Sequence, residues 1–361
     1  MKGLRKYLTP FAPDQSGAVS VLYELGGMLV ICDAGGCTGN VCGFDEPRWF
    51  ETRSAVFSAG LRDMDAILGR DDRLVAKLAD AAEKLDVTFA AVIGTPVPAV
   101  IGTDYRALER MLAKKTDLPF LTVNTDGMEL YDKGEEKAYL ALFEKFSDKN
   151  EESEDMNDKD RPHIGIIGMT PQDVSDLKAA DKIRKVYADQ GMRAICYGMG
   201  DGLDEVRMRN ASLAAKNVVV SPAALKAAQY LQKKFGTPYE IAYPLASELV
   251  PEVNYQGKKI LIVQQQVIAN AVRKEIEKRT GEKEAITTAT WFMRKEEILK
   301  DLNVDAADDI SLKEEDDFIS LVEKEGYDVI FADPCMERMI PGFEGTFIPL
   351  THFAVSGKLN V

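Results

Sequence analysis

Short apolar runs without polar alternation recur along the chain, and a glycine-containing turn or a helical pattern follows most of them. The runs span residues 28–31, 88–93, 119–123, 164–168, 192–197, 217–220, 259–263, 327–332 and 347–349. A strand that is apolar on both faces is buried on both sides, which is typical of a parallel sheet covered by helices. The pattern therefore predicts an α/β protein built from doubly wound parallel sheets.

The length of 361 residues is too great for one ordinary core and suits two or three α/β domains. Because a strand–helix series begins three times, we predict three Rossmann-like domains, over 1–160, 161–256 and 257–361. The first domain ends in the acidic stretch Ser147–Asp160, which is predicted to be a solvated linker. No period of 20–50 residues recurs with matching side chains, so the series are not sequence repeats.

Composition limits the partners and the compartment. A formal net charge of −14 argues against a nucleic-acid or anionic-membrane surface. No run approaches the roughly 18 apolar residues of a membrane span, and no signal-like segment opens the chain, so we expect a cytoplasmic protein. Since thiols stay reduced there, clustered cysteines are expected to bind metal or to do redox work. The two histidines, His163 and His352, nearly exclude a His-rich zinc site.

Three of the five cysteines surround the turn Ala34-Gly35-Gly36 after the first apolar run. Cys37 follows the two glycines in a predicted loop, where small neighbours let a bulky inorganic ligand approach closely. We predict Cys37 and Cys42, in the same loop, as metal ligands. Cys32 ends the first strand and is either a third ligand or a packed thiol.

The C-x4-C-x4-C spacing matches neither common ferredoxin pattern, and three thiolates are one fewer than an iron–sulfur cluster commonly uses. A cluster would therefore need a carboxylate, a distant cysteine or a second subunit. Asp14 is the candidate carboxylate; its alternative role is in a turn or cap before a helix predicted over Ser16–Leu25. Cys196 ends a predicted core strand and is expected to pack there, whereas the role of Cys335 stays undecided.

Other catalytic patterns are incomplete or missing from the sequence. Residues 198–202 (GMGDG) lack the full G-x-G-x-x-G pattern, which disfavours a nicotinamide dinucleotide site. No G-x-x-x-x-G-K-[ST] or G-x-S-x-G occurs, which disfavours ATP hydrolysis and a serine hydrolase. Arg48 and Trp49 are predicted at the solvated start of a helix, with binding of an anion or a partner as the alternative.

Four motifs occur in the order found in the nitrogenase component 1 (dinitrogenase-like) family, which this chain resembles. Residues 33–37 (DAGGC) are similar to its H-G-P-x-G-C loop, and residues 62–69 (RDMDAILG) to its E-x-D-x-V-F-G stretch. Residues 94–104 (GTPVPAVIGTD) resemble S-T-C-x-x-x-I-I-G-D-D, and residues 200–206 (GDGLDEV) resemble G-D-G-[ST]-I-D-E-I. The family includes nitrogenase molybdenum–iron protein subunits, dark-operative protochlorophyllide reductase and Ni-sirohydrochlorin a,c-diamide reductive cyclase.

The resemblance implies a fold, a cofactor and partners. It implies three Rossmann-like domains in each subunit, paired as a homodimer or as a heteromer with a related subunit. It implies an iron–sulfur cluster of the [4Fe–4S] type at that interface. It further implies a partner reductase that is ATP-dependent and similar to the nitrogenase iron protein, and a small-molecule substrate.

The resemblance also assigns positions in this chain. Of the family's three cluster cysteines in the first domain, the chain retains Cys37. The first of the other two positions falls near Asp14, and the second is Pro96, so Cys32 and Cys42 are the local substitutes. Dark-operative protochlorophyllide reductase uses one aspartate ligand, which favours Asp14.

Two further family positions bear on the reaction. The cysteine that holds the iron–molybdenum cofactor corresponds to Ser221, and the family's C-terminal histidine ligand has no clear counterpart. Dinitrogen reduction by a bound cofactor is therefore not expected. The leading hypothesis is an oxidoreductase that passes low-potential electrons through an interface cluster to a substrate. A metal-cofactor assembly scaffold without turnover and a cluster-free small-molecule-binding protein stay open as alternatives.

Overall fold

The structure, a computed structural model, describes residues 4–62, 69, 71–148, 163–200, 208, 210–281 and 285–360. Within these residues the strands form three sheets, and every strand ladder is parallel. The predicted α/β class with three parallel sheets is therefore confirmed. Most of the acidic stretch, most of the motifs at 62–69 and 200–206, and most of a helix predicted over 203–209 lie outside the described residues.

The first sheet contains β1 (Met28–Ile31), β2 (Ala55–Ser58), β3 (Ala90–Ile93) and β4 (Phe120–Val123). Its order is β2-β1-β3-β4, so the chain changes its direction of winding between β1 and β3. In an open parallel sheet, ligands bind beyond the carboxyl ends of the strands at such a switch point.

The second sheet contains β5 (His163–Ile167), β6 (Arg193–Tyr197), β7 (Lys216–Val219) and β8 (Tyr239–Ile241), in the order β6-β5-β7-β8. The third contains β9 (Lys259–Val263), β10 (Ala285–Trp291), β11 (Asp309–Leu312), β12 (Val329–Ala332) and β13 (Thr346–Pro349), in the order β11-β10-β9-β12-β13. The switch points lie between β5 and β7 in the second sheet and between β9 and β12 in the third.

The helices cover the faces of the sheets, as the apolar strands require. They are α1 (Asp14–Leu22), α2 (Gly36–Asn40), α3 (Asp71–Lys84), α4 (Pro96–Ile101), α5 (Tyr105–Leu112), α6 (Tyr131–Phe146), α7 (Ala179–Ala188), α8 (Leu225–Phe235), α9 (Gln266–Thr280), α10 (Glu296–Leu302), α11 (Glu315–Glu325), α12 (Pro334–Glu337) and α13 (Phe353–Ser356). A π-helix spans Val41–Asp45, and a 3-10 helix spans Pro47–Phe50. Among the described residues, no helix has the length and apolar character needed to cross a membrane.

The three switch points face one another. The Nε2 amide of Gln265, which follows β9, donates to the carbonyl of Val220, which follows β7, at 2.6 Å. Gln264 donates through Nε2 to the carbonyl of Thr351, beyond β13, at 2.9 Å. The buried Arg48 donates to the carbonyl of Gly198, beyond β6, at 2.7 Å. Because the carboxyl ends of the strands converge, polar side chains from all three sheets meet in the interior.

Local structure departs from the sequence-based expectations at two places that matter for the site. The first helix begins at Asp14 rather than Ser16, and ends at Leu22. Cys37 and Cys42 lie on α2 and the π-helix rather than in an irregular loop, because Gly35 enters α2 with a φ of 118° that lets the chain turn immediately into helix.

The environment of Arg48 also differs from the prediction. The residue was expected at a solvated helix start, but it is 2% exposed. Its guanidinium pairs with Glu46 at 2.6 Å and with Glu24 at 3.4 Å, and it donates to the carbonyl of Ser20 at 2.7 Å. A buried charge of this kind is stable only with such partners. Arg48 therefore joins the first and second sheets and is not placed to bind a ligand.

Candidate functional site

The stretch from Cys32 to Glu46, which we call the cysteine segment, leaves β1 at the switch point of the first sheet. The amide of Cys32 donates to the carbonyl of Ile93, and the hydroxyl of Thr95 donates to the carbonyl of Cys32, both at 2.8 Å. These bonds tie the segment to the residues that follow β3. The segment therefore begins where an open α/β sheet places its ligands.

Asp33 fixes the geometry of the segment. Its carboxylate accepts from the amide of Thr38 at 2.7 Å, from the hydroxyl of Thr38 at 3.0 Å and from the hydroxyl of Ser58 at 2.6 Å. These bonds hold the first turn of α2 against the end of β2. The position of Cys37, next to Thr38, depends on them.

Cys37 and Cys42 are both half-buried and pack against the core shared by the first two sheets. Burial, followed by the negative charge of Asp33, raises the pKa of the Cys37 thiol, which is within hydrogen-bonding reach of Thr95. Burial, followed by the charges of Glu46 and Asp33, raises the pKa of the Cys42 thiol. Both groups are therefore protonated thiols at neutral pH, and a bound metal ion would displace their protons.

The other two predicted ligands are buried more deeply. Cys32 is 1% exposed, and burial raises the pKa of its thiol to about 12. Asp14 is fully buried, and its carboxylate accepts from the amides of Gly127 at 2.8 Å and Asp126 at 3.1 Å, with Lys137 at 3.3 Å. Burial raises the pKa of Asp14, while these bonds lower it. Within the chain, the Asp14 carboxylate anchors the loop after β4.

The remaining cysteines lie in other sheets. Cys196 is buried in β6, and Cys335 is buried on α12, where burial and then Asp333 raise the pKa of its thiol. Over the residues that the structure describes, no group of three His, Cys, Asp or Glu side chains is arranged to hold a metal ion. The described part of the chain by itself therefore offers no complete ligand set for a cluster.

An exposed apolar patch lies beside the cysteine segment. We define it as Val97, Val100 and Ile101 on α4 together with Met128; Val100 is 86% exposed and Met128 is 82% exposed. The capping residue of α4 is Thr95, which contacts Cys37, and a Cβ at Gly127 would touch the Pro96 ring at 2.6 Å. Exposed apolar side chains grouped in this way are typical of an interaction site.

A cavity of about 540 Å³ lies on another side of the cysteine segment. Residues from the N-terminal segment, the π-helix, the loop after β5 and α13 form its wall. The aromatic wall residues are Phe11, Phe44 and Phe353, and the polar ones include Asn40, Asp45 and Gln172. A volume of a few hundred Å³ with an apolar wall and a few polar groups is typical of small-molecule sites.

Sequence analysis missed a buried polar cluster behind this wall. The carboxylate of Asp173 accepts from the hydroxyl of Tyr131 at 2.7 Å and from the hydroxyl of Ser221. The Nε2 atom of His352 lies 3.4 Å from the Tyr131 hydroxyl and 3.7 Å from Asp173, and its Nδ1 atom has no partner among the described residues. The neighbouring residues Gln172 and Phe353 line the cavity, so the cluster adjoins it.

The cluster has no motif spacing that would reveal it, since its members are far apart in sequence. A usable signal was that Asp173, Ser221 and His352 each follow a strand, namely β5, β7 and β13. The sequence alone indicates no role for His352, and it distinguishes Ser221 only as the position that corresponds to a cysteine of the family.

Comparisons with known proteins agree with this arrangement. The family model for nitrogenase component 1 type oxidoreductases matches residues 14–246. A nitrogenase iron-molybdenum cofactor biosynthesis protein, NifE, from Bradyrhizobium diazoefficiens (strain JCM 10833 / BCRC 13528 / IAM 13628 / NBRC 14792 / USDA 110) is 24% identical over 187 residues, which is 51% of this chain. That match spans 32% of the curated relative, so the chain corresponds to about a third of its length.

Solved structures give the same fold. The structure titled "Nitrogenase Cp1 at pH 6.5" superposes with a TM-score of 0.70 at 12% identity, covering 97% of this chain and 87% of that one. The structure titled "Nitrogenase Cp1 at pH 5" gives a TM-score of 0.67 at 15% identity, covering 98% and 85%. At such identities the likeness establishes the shared fold.

Proposed function

This chain belongs to the nitrogenase component 1 type oxidoreductase family, and we propose that it is an oxidoreductase that holds an iron–sulfur cluster between two subunits. In this proposal an ATP-dependent reductase similar to the nitrogenase iron protein donates low-potential electrons, and a small molecule accepts them. The observation that carries the proposal is the pair of half-buried thiols, Cys37 and Cys42, on one short segment at a sheet switch point.

The chemistry of these residues fits such a cluster. Thiolates are the ligands that iron–sulfur clusters take, and Cys37 and Cys42 from each of two chains would supply the usual four. Cys32 and Asp14 remain predicted ligands that the geometry favours less, because Cys32 is sealed in the core and the Asp14 carboxylate already binds Gly127 and Lys137.

The apolar patch supports a shared site. Val97, Val100 and Ile101 are exposed within one helix whose N-terminus contacts Cys37. Covering such a surface with a second copy of the chain would bury apolar area and bring two cysteine segments together. We propose a homodimer; a related subunit that takes the place of the second copy is the alternative that measured stoichiometry would reveal.

The chain's own residues have separate tasks in the proposed reaction. The cavity beside the π-helix binds the substrate against its aromatic wall. Asp33 and Thr95 hold the cysteine segment in place. A bound cluster would supply single electrons at low potential.

The test is anaerobic purification followed by iron and sulfide analysis and EPR spectroscopy of the reduced protein. We expect about four iron atoms per two chains, in keeping with a four-iron cluster held by four thiolates. Cys37→Ala and Cys42→Ala should each lose the iron and the EPR signal, whereas Cys335→Ala, at a buried cysteine of the third sheet, should keep both. Iron-free wild-type protein that cannot be reconstituted would refute the proposal.

A second candidate function is a metal-cofactor assembly scaffold that binds a cluster without turnover. The similarity to a protein described as acting in iron-molybdenum cofactor biosynthesis favours it. The two functions share the cysteines, so the discriminating measurement is kinetic. Repeated turnover of a substrate with a reductase and ATP would support the oxidoreductase, and transfer of the metal group to an acceptor protein would support the scaffold.

A further inference from the structure

The cavity beside the cysteine segment carries a single kind of charge. Among the described residues of its wall, Asp45 is the one ionisable side chain. The rest of the wall is aromatic or aliphatic, or carries uncharged amides and hydroxyls, as at Asn40, Gln172 and Ser356. A ligand would therefore meet one carboxyl group in otherwise neutral surroundings.

The Asp45 carboxyl is held in place by hydrogen bonds to one of its two oxygen atoms. Its Oδ2 atom accepts from the hydroxyl of Ser16 at 2.7 Å and from the amide of Asn40 at 2.6 Å. The backbone carbonyl of Asp45 accepts from Gln172 at 2.6 Å, which fixes the residue against the second sheet. Its Oδ1 atom accepts no hydrogen bond from the part of the chain that the structure describes, and Asp45 forms no ion pair there.

The Oδ1 atom stays accessible, because Asp45 is only partly buried and forms part of the cavity wall. Burial is the largest influence on the pKa of Asp45 and raises it, the hydrogen bonds from Ser16 and Asn40 lower it, and the nearby Glu46 raises it by less. A partly buried carboxyl without a cation is stabilised by a ligand that donates a hydrogen bond or brings a positive charge. An anionic ligand group at the same place would meet repulsion.

We infer, resting on the function proposed above, that this cavity selects its ligand by charge: Asp45 anchors a protonated amine or another hydrogen-bond donor on a compact, largely apolar molecule. The aromatic rings of Phe11, Phe44 and Phe353 cover the apolar body of the ligand. Molecules of the same shape whose polar group is a carboxylate bind weakly. Asp45 is thus a specificity-determining residue, held in position by Ser16 and Asn40.

The test measures binding of two probes of matched shape by isothermal titration calorimetry. The probes are 1-naphthylmethylamine, which carries a cationic amine, and 1-naphthylacetate, which carries a carboxylate. A hydrogen-bonded charge pair is worth enough that wild-type protein should bind the amine about tenfold more tightly than the acid. Asp45→Asn preserves the shape of the side chain and should bring the two affinities close together.

Two exposed phenylalanines provide a matched pair of variants. Phe44 and Phe50 are each 77% exposed, but only Phe44 belongs to the described wall of the cavity. Phe44→Ala should weaken binding of the amine several-fold, and Phe50→Ala should leave it unchanged. Because neither side chain is in the core, both variants are expected to fold, so they test the location of the site even if Asp45→Asn fails to fold.

The outcomes separate this inference from the proposed function. Equal affinity of wild-type protein for both probes, binding of neither probe, or equal effects of Phe44→Ala and Phe50→Ala would overturn the inference. Iron content is measured on the same samples. Iron-loaded protein without the amine preference refutes the selectivity alone, whereas iron-free protein that prefers the amine through Asp45 refutes the oxidoreductase alone.

Discussion

The side chain of Asp33 connects the first sheet to the segment that carries the predicted metal ligands. One carboxylate receives three hydrogen bonds, from the amide and hydroxyl of Thr38 and the hydroxyl of Ser58. After burial, its charge also raises the pKa of the Cys37 thiol. The turn that carries Cys37 is thus held by one buried acid, and its position depends on that residue.

We therefore predict that Asp33→Ala destabilises the protein and loosens the cysteine segment. Leaving three donors without their acceptor should lower the free energy of unfolding by about 2 kcal/mol. Urea denaturation measures that loss. The rate of Cys37 alkylation by iodoacetamide should rise, both because the segment loosens and because the pKa of the thiol falls without the charge of Asp33. Asp104→Ala, which removes an exposed capping bond to Ala107 on α5, is the control and should not change that rate. An unchanged alkylation rate in Asp33→Ala would contradict the prediction.

Asp132 makes stability depend on pH. Burial, and to a smaller degree Asp173, raises the pKa of this carboxyl to about 6, against the lowering effect of Lys133 and Lys295. A raised pKa means that the folded protein holds the proton more tightly than the unfolded chain does. The stability that this group contributes is therefore full below about pH 4 and is lost as pH rises towards 6.

We expect the unfolding free energy of Asp132→Asn, which cannot ionise, to increase relative to that of the wild type as pH rises. The difference in unfolding free energy should grow by roughly 2 kcal/mol between pH 4 and pH 7. Urea titrations at several pH values measure it. Asp117→Asn, at an exposed carboxylate just before β4, is the control. A constant difference across this range would show that Asp132 has the same pKa in both states.

At the scale of elements, the nine apolar runs each predicted a strand, but β2, β8, β10 and β11 and the helix on which the interior depends had no such signal. Apolar runs predicted β1 and β9 to the residue or nearly so, since buried parallel strands have no polar face. No element was predicted over α6, because its buried positions include Asp132, Glu135 and Glu136. A helix that buries carboxylates on several sides has no clear amphipathic stripe.

The crossing of α1 and α6 gives a prediction at this scale. The two helices approach so closely that a Cβ at Gly134 would lie 1.7 Å from the carbonyl oxygen of Asp14. Gly134→Ala must force the helices apart, which should cost about 3 kcal/mol. Gly39→Ala, in α2 with open space around it, should be neutral or stabilising by up to about 1 kcal/mol. Thermal or urea unfolding compares the two, and equal effects would contradict the close crossing.

At the scale of the whole molecule, the site is assembled from sheet ends that are distant in sequence. The placement of Cys37 and Cys42 just after β1 was predictable, because it follows from the strand and its glycine turn. The meeting of Asp173, Ser221 and His352 was not, since each has ordinary neighbours in sequence. Only the convergence of three switch points brings these side chains together and sets them behind one cavity.

Assembly of two chains is the last property at this scale, and the apolar patch beside the cysteine segment makes it testable. If Val97, Val100, Ile101 and Met128 are covered by a second copy, a charge in the patch must be desolvated on association. Val100→Asp should then shift the protein from dimer to monomer in sedimentation velocity. Because Val100 is 86% exposed, the unfolding midpoint of the chain should change little. Val253→Asp, at an exposed valine outside the patch, is the control. We expect the monomeric variant also to lose its iron, because each chain alone would supply two of the four proposed thiolate ligands, Cys37 and Cys42. A Val100→Asp protein that stays dimeric and keeps its iron would place the interface elsewhere.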